Sequence, residues 1–295
     1  MELGWMRIAS HDAAPMSTAA IRDAIAQTEA LGFRQIHLPE LNLNFLRHLP
    51  ETETLRFGLD VSTMTNLPPR ALAEKLHCAM HKLNGRLVLG LHLDATPQSR
   101  ITSQVIETLL SDTAPRPLDT DLPMCPPRPE VLVMPEAGNN ADMRQAAANG
   151  FHAMSPAHQS RSCLSRHWPA LVAGATHATR RACPSHWHVA RCIYVSDNPA
   201  KVAAYCAGPA ATYFRQLSRS SGIDKGAAPI AGSVQDVAAQ LQTLRARIGP
   251  FGVLHCIDPG LGMSEGQIQR QRLAKEVLPR VNGKLPISIK ELEST

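Results

Sequence analysis

At 295 residues the chain is long enough to bury a large core, and 44% apolar with 19% charged residues excludes wholesale disorder. The net charge of +5 comes from 30 basic and 25 acidic residues that are scattered, with Arg180-Arg181 the only adjacent basic pair. Together with only 4% aromatic residues, this argues against a nucleic-acid footprint or a base-stacking platform.

The 7 cysteines are odd in number and form no C-x-x-C, so neither a disulfide framework nor a thiolate zinc site is expected. The N-terminus carries no basic-then-apolar leader, and no window reaches the length of a membrane span. A reduced cytoplasmic protein is the expectation.

Leu3 to Ile8 predicts a first strand. Ser17 predicts the cap of a helix through Leu31, with Gly32 as its stop. Phe33 to Leu38 predicts a second strand ending at Pro39-Glu40. Leu55 to Val61 predicts a third. Leu72, Leu76, Met80 and Leu83 recur at helical spacing behind Pro68-Pro69, which fit a helix start. Asn84-Gly85 then turns the chain into a continuously apolar strand, Arg86 to Leu93, as expected of a strand covered on both faces. A helix is predicted from Thr96 to Leu110, followed by a proline-rich connection, Ser111 to Pro129.

Glu130 to Pro135 predicts a buried strand, Ala141 to Asn149 a helix, and Phe151 to Met154 a short strand ending at Ser155-Pro156. Helical character resumes from His158 to about Arg181. Trp187 to Val195 predicts a strand, and Asp197 or Asn198 the cap of a helix from Pro199 to about Leu217. Gly232-Ser233 predicts the cap of a helix over Val234 to Ile248. Phe251 to Ile257 predicts the last strand, and Ser264 to Val281 the last helix. Eight strands alternating with helices predict a (β/α)8 TIM barrel, as one domain over residues 1–295. No G-x-G-x-x-G follows the first strand, which disfavours a dinucleotide fold.

Seven short segments recur in one order: Ala26 to Phe33 leading into Ile36-His37-Leu38-Pro39-Glu40; Leu55-Arg56-Phe57-Gly58; Leu72-Ala73-Glu74; Asn84-Gly85-Arg86 into Leu87-Val88-Leu89-Gly90; Glu136-Ala137-Gly138-Asn139-Asn140; Ile230-Ala231-Gly232-Ser233; and Glu276 to Val281. In this order the chain resembles the bacterial luciferase-like flavin monooxygenase superfamily, as a divergent member and over nearly its whole length. The resemblance implies reduced FMN at the C-terminal mouth of the barrel, supplied by a separate flavin reductase, and oxygenation of a small or carrier-bound organic substrate. It also implies a homodimer, or a heterodimer with a related subunit. A deazaflavin-dependent oxidoreductase and a non-catalytic, degenerate subunit are the alternatives.

The candidate site residues follow from strand ends and from this resemblance. The loop Glu136 to Asn140 joins a buried strand to a helix N-terminus, where free N–H groups favour a phosphate. Glu136, Gly138, Asn139 and Asn140 are therefore cofactor-binding candidates, with helix capping as the plainer role for the asparagines. Asp94 and Ser155, at two further strand ends, join them. Catalytic candidates are His92, Glu40 and Asp60. His92 stands where the family has a reactive cysteine, Leu93 where it has a phosphate-binding arginine, and Leu41 where it often has a catalytic histidine. A core role for His92 is the competing reading. Asp60 stands where relatives carry a small apolar residue beneath the flavin ring, so a carboxylate there calls for a cationic partner or a different pocket. His177, His186, His188, Cys183 and Cys192 fit no zinc spacing, so no metal is expected. No G-x-S-x-G supports a hydrolase.

Overall fold

The computed structural model describes residues 1–7, 16–39, 49, 51–64, 67–93, 104–109, 130–135, 140–221 and 227–283. Its strands are β1 (Glu2–Arg7), β2 (Gln35–His37), β3 (Arg56–Asp60), β4 (Leu87–Leu93), β5 (Glu130–Pro135), β6 (His152–Ser155), β7 (Trp187–Val195), β8 (Ile230–Gly232) and β9 (Val253–Asp258). All neighbours pair in parallel, in the order β6-β5-β4-β3-β2-β1-β9-β7, and a β6–β7 pairing closes the ring. These eight strands are the eight predicted, and they form a closed (β/α)8 barrel. The short β8 was not anticipated as a strand. Among the described residues it pairs only with Ile193 to Val195, beyond the Cys192–Ile257 pair where β9 leaves β7.

Helices cover the outside: α1 (Thr18–Ala30), α2 (Pro69–Lys82), α3 (104–109), α4 (Asn140–Ala148), α5 (Arg161–Leu164), α6 (His167–His177), α7 (Pro199–Tyr205), α8 (Ala211–Ser221), α9 (Val234–Ile248), α10 (Met263–Arg272) and α11 (Leu278–Val281). Their starts follow local chemistry. Ser17 Oγ accepts from Ala20 N–H, Asn198 Oδ1 from Ala200 N–H, and Ser233 forms a reciprocal capping box with Asp236. The predicted helix after Asn198 is interrupted by a π turn at Cys206–Ala210 that contains Pro209, whose missing N–H cannot serve the regular ladder. The predicted run from His158 to Arg181 resolves into α5 and α6.

Burial divides into two layers. Between barrel and helices lie Trp5, Ile36, Phe57, Leu89, Val131, Trp187 and Leu254, with their helix partners. Inside the barrel lie Met6, Val88, Leu132, Met154, Ala190, Cys192, Tyr194 and Ile257. The alternation along each strand sets which residues face in. At the sharp turn before β4, Asn84 (φ 48°) and Gly85 (φ 74°) occupy the left-handed region. Arg86 packs structurally at this turn: Nε donates to Leu83 O and Nη1 to Leu55 O, with the guanidinium over Phe57. No helix among the described residues is long and apolar enough to cross a membrane.

Candidate functional site

The interior of the barrel is polar along one side. His37 of β2, His188 of β7 and His255 of β9 are all buried. His188 Nδ1 lies 3.0 Å from His255 Nε2, with the two rings stacked. His37 meets His255 edge to face, with centroids 5.2 Å apart. The Gln35 amide donates to His37 Nε2 at 2.6 Å, which leaves the ring proton on Nδ1. Room for two of these rings comes from glycine. A Cβ on Gly4 would collide with His255, and one on Gly58 with His37. Burial depresses all three histidines: His37 to about 4, and His188 and His255 well below the usual value. They are neutral at pH 7.

Asp60 ends β3 opposite Gly90, and its charge acts on His37 against the burial effect. Of the catalytic candidates, Asp60 is thus placed at the upper end of this histidine column. His92 lies on β4 opposite Met134 in the strand register, and its side chain is outside what is described. Glu40, Asp94, Glu136, Gly138 and Asn139 fall outside the described residues, as does the proline-rich connection 111–129.

Asn140 is the first residue of α4, and its Oδ1 is buried without a hydrogen-bond partner. Ser155 is fully buried. Its hydroxyl accepts from Trp187 Nε1 at 2.8 Å and lies 2.7 Å from His167 Nδ1, so it is engaged with the helix layer. Cys163 Sγ lies 3.7 Å beyond, at His167 Nε2. Cys183 is exposed and Cys192 buried inside the barrel, so the cysteine-histidine group weighed from the sequence does not assemble around them.

The C-terminal face above β6 and β7 has a different character. Buried Arg191 donates to the carbonyls of Pro156 and Gln159, fixing the loop after Ser155. Burial lowers its pKa to about 10, which leaves it charged. On that loop His158 and Gln159 are buried, and neither the two ring nitrogens nor either atom of the amide has a partner. Ala157 of the same loop packs in one apolar cluster with Tyr194, Tyr205 and Tyr213, and the first two tyrosines stack with centroids 4.5 Å apart. Burial raises all three hydroxyls, so they stay protonated. The sequence reading missed His158 and Gln159. The available signal was their place directly after a barrel strand, where the βα loops of this fold carry chemistry.

Buried polar groups are nearly always paired, so His158, Gln159 and Asn140 mark places where a bound group would supply the missing partners. A flavin, with its ring carbonyls, ring N–H and ribityl hydroxyls, fits that need chemically.

Neither a family model nor a curated protein matches the chain. Solved structures do. The monooxygenase RslO1 of Streptomyces bottropensis is 16% identical with a TM-score of 0.71, over 95% of this chain and 99% of its own. The oxygenating constituent of 3,6-diketocamphane monooxygenase from Pseudomonas putida, in complex with FMN, is 18% identical with a TM-score of 0.69, over 95% and 98%. The coenzyme F420-dependent tetrahydromethanopterin reductase of Methanopyrus kandleri is 12% identical with a TM-score of 0.65, over 95% and 99%. The fold is therefore the (β/α)8 barrel that these structures share.

Proposed function

We propose that this protein is a flavin-dependent monooxygenase that uses reduced FMN and oxygen on a small or carrier-bound organic substrate. One observation carries the reading. The chain superposes over 95% of its length on a monooxygenase whose structure holds FMN, with a TM-score of 0.69. The unpartnered polar groups of His158 and Gln159 on the C-terminal face support it.

In this reading the loop over residues 136–140 takes the phosphate at the N-terminus of α4, and His158 and Gln159 take polar atoms of the ring system. Glu136, Gly138, Asn139, Asn140 and Asp94 belong to that shell. Ser155 serves it as a positioning residue through His167 and Trp187. When bound, reduced FMN supplies the electron pair that activates oxygen. His92, Glu40 and Asp60 are the candidates to hold or move protons beside it. A separate reductase delivers the reduced flavin, and the working unit is a homodimer or a heterodimer with a related subunit, in the cytoplasm.

A second reading, a deazaflavin-dependent oxidoreductase, is favoured by the F420-dependent neighbours on the same barrel. Anaerobic titration with oxidised FMN, reduced FMN and F420 separates the two. Binding of reduced FMN supports the monooxygenase, and binding of F420 alone supports the second reading. No binding of any of the three, alone or with a related subunit, leaves the degenerate subunit standing and sinks both enzyme readings.

A further inference from the structure

The opposite, N-terminal mouth of the barrel opens on a cavity of about 630 Å³ lined by Arg34, Arg56, Glu130, His152, His186 and His188, among others. Glu130 and His152 begin β5 and β6, and His188 is the second residue of the adjacent β7. His152 pairs in register with Leu132, two residues after Glu130, and His188 pairs with Met154, two residues after His152. Steps of two keep all three side chains on one face of the sheet. One donor atom from each lies within 4.8 Å of the other two.

The contacts among them hold too few protons. His152 Nδ1 lies 3.1 Å from Glu130 Oε1 and 3.1 Å from His188 Nε2. With its Nδ1 proton, His152 serves one of these neighbours well and leaves the other acceptor facing it. Without that proton, His188 Nε2–H donates to Nδ1, whose remaining direction meets the carboxylate lone pair. Either way three lone-pair atoms share one proton across two contacts.

We propose that Glu130 Oε1, His152 Nδ1 and His188 Nε2 form a binding site for a divalent first-row transition metal of the Zn2+ class. Zinc–nitrogen bonds of about 2.0–2.1 Å place adjacent tetrahedral donors about 3.3 Å apart, close to the two 3.1 Å separations. Three protein ligands leave a fourth position open to the cavity. The next layer is already built: His188 Nδ1 engages His255 Nε2, Arg56 pairs with Glu130, and His186 stacks on His152 with centroids 4.4 Å apart. Because Arg56 already neutralises the carboxylate, two imidazoles dominate the donor set. That selects Zn2+, Co2+ or Ni2+ over Mg2+ and Ca2+. The site lies at the end of the barrel away from the proposed flavin and does not depend on that reading.

The test is calorimetric titration of the chelator-stripped full chain with Zn2+. One equivalent per chain is expected. Glu130→Gln and His152→Ala each lower the affinity by more than the roughly 10–100-fold that loss of an outer-layer partner costs. Cys183→Ser binds as the wild type does. Co2+ on the wild-type chain gives a readout independent of any variant's folding, namely d–d absorption without a thiolate-to-cobalt charge-transfer band. No stoichiometric Zn2+ binding, a thiolate band, or wild-type affinity in folded Glu130→Gln would each overturn the proposal.

Discussion

Trp187 Nε1 donates to Ser155 Oγ at 2.8 Å, and the same oxygen lies 2.7 Å from His167 Nδ1, so one buried hydroxyl joins β6, β7 and α6. Removing it leaves a buried indole N–H without an acceptor and an imidazole nitrogen without a donor. Each orphaned group costs about 1–3 kcal/mol. Ser155→Ala is expected to lower the urea midpoint accordingly while leaving the affinity for reduced FMN within a few-fold of wild type. A large loss of flavin affinity with unchanged stability would instead make Ser155 a direct cofactor contact.

Gly58 and His37 divide one volume inside the barrel, since a Cβ on Gly58 would fall on the imidazole. The ring is held by the Gln35 amide and packs edge to face on His255. Gly58→Ala is expected to destabilise the fold by about 1–3 kcal/mol, the usual cost of overpacking. The double variant Gly58→Ala/His37→Ala should recover part of that loss relative to the sum of the single changes, because contacting sites couple. Strict additivity in a double-mutant cycle would show that the two do not compete for space.

The barrel itself was readable because strand and helix periods are local. Glu130 to Pro135 or Trp187 to Val195 announces a buried strand from its own side chains. The three residues of β8 were not readable, because a strand that short carries no period and forms only where β7 outlasts β9. The histidine column was equally invisible. His37, His152, His188 and His255 are far apart in the chain and come together only through the parallel pairings β6–β7, β7–β9, β9–β1 and β1–β2. Glu130 was read only as the start of a buried strand; its alternation puts it on the same face as Leu132, and the structure shows that this face is the inner one. His186 and His188 were weighed with Cys183 and Cys192 as sequence neighbours, whereas the structure puts His188 with His152, His255 and Glu130.

Two of the buried histidines set an acid limit on stability. Burial lowers His37 and His167 to about 4 in the folded chain, and for His167 the charges of Arg191 and Arg166 add to the effect. Across the interval from the ordinary value of 6.5 down to about 4, the unfolded chain binds these protons and the folded chain does not. Stability is therefore complete above that interval and falls with pH inside it, by about 1.4 kcal/mol per pH unit for each histidine. Unfolding midpoints measured between pH 7.5 and 5 should drop steadily, with a shallower slope in a folded His167→Gln variant. A flat profile over that range would show that these imidazoles take up protons without unfolding.

His92 carries the sharpest functional prediction, because it stands on β4 opposite Met134 where the resembling family has a reactive cysteine. If it moves a proton beside the flavin, His92→Ala should lower turnover by roughly 10²-fold or more, the usual contribution of a positioned acid or base. Thermal stability should change little, and reduced-flavin affinity should stay near wild type. Full activity in the variant would remove His92 from the chemistry. A collapse in stability with activity lost in proportion would mark it as a core residue, leaving Asp60 and Glu40 as the remaining proton carriers to test by the same split between turnover and folding.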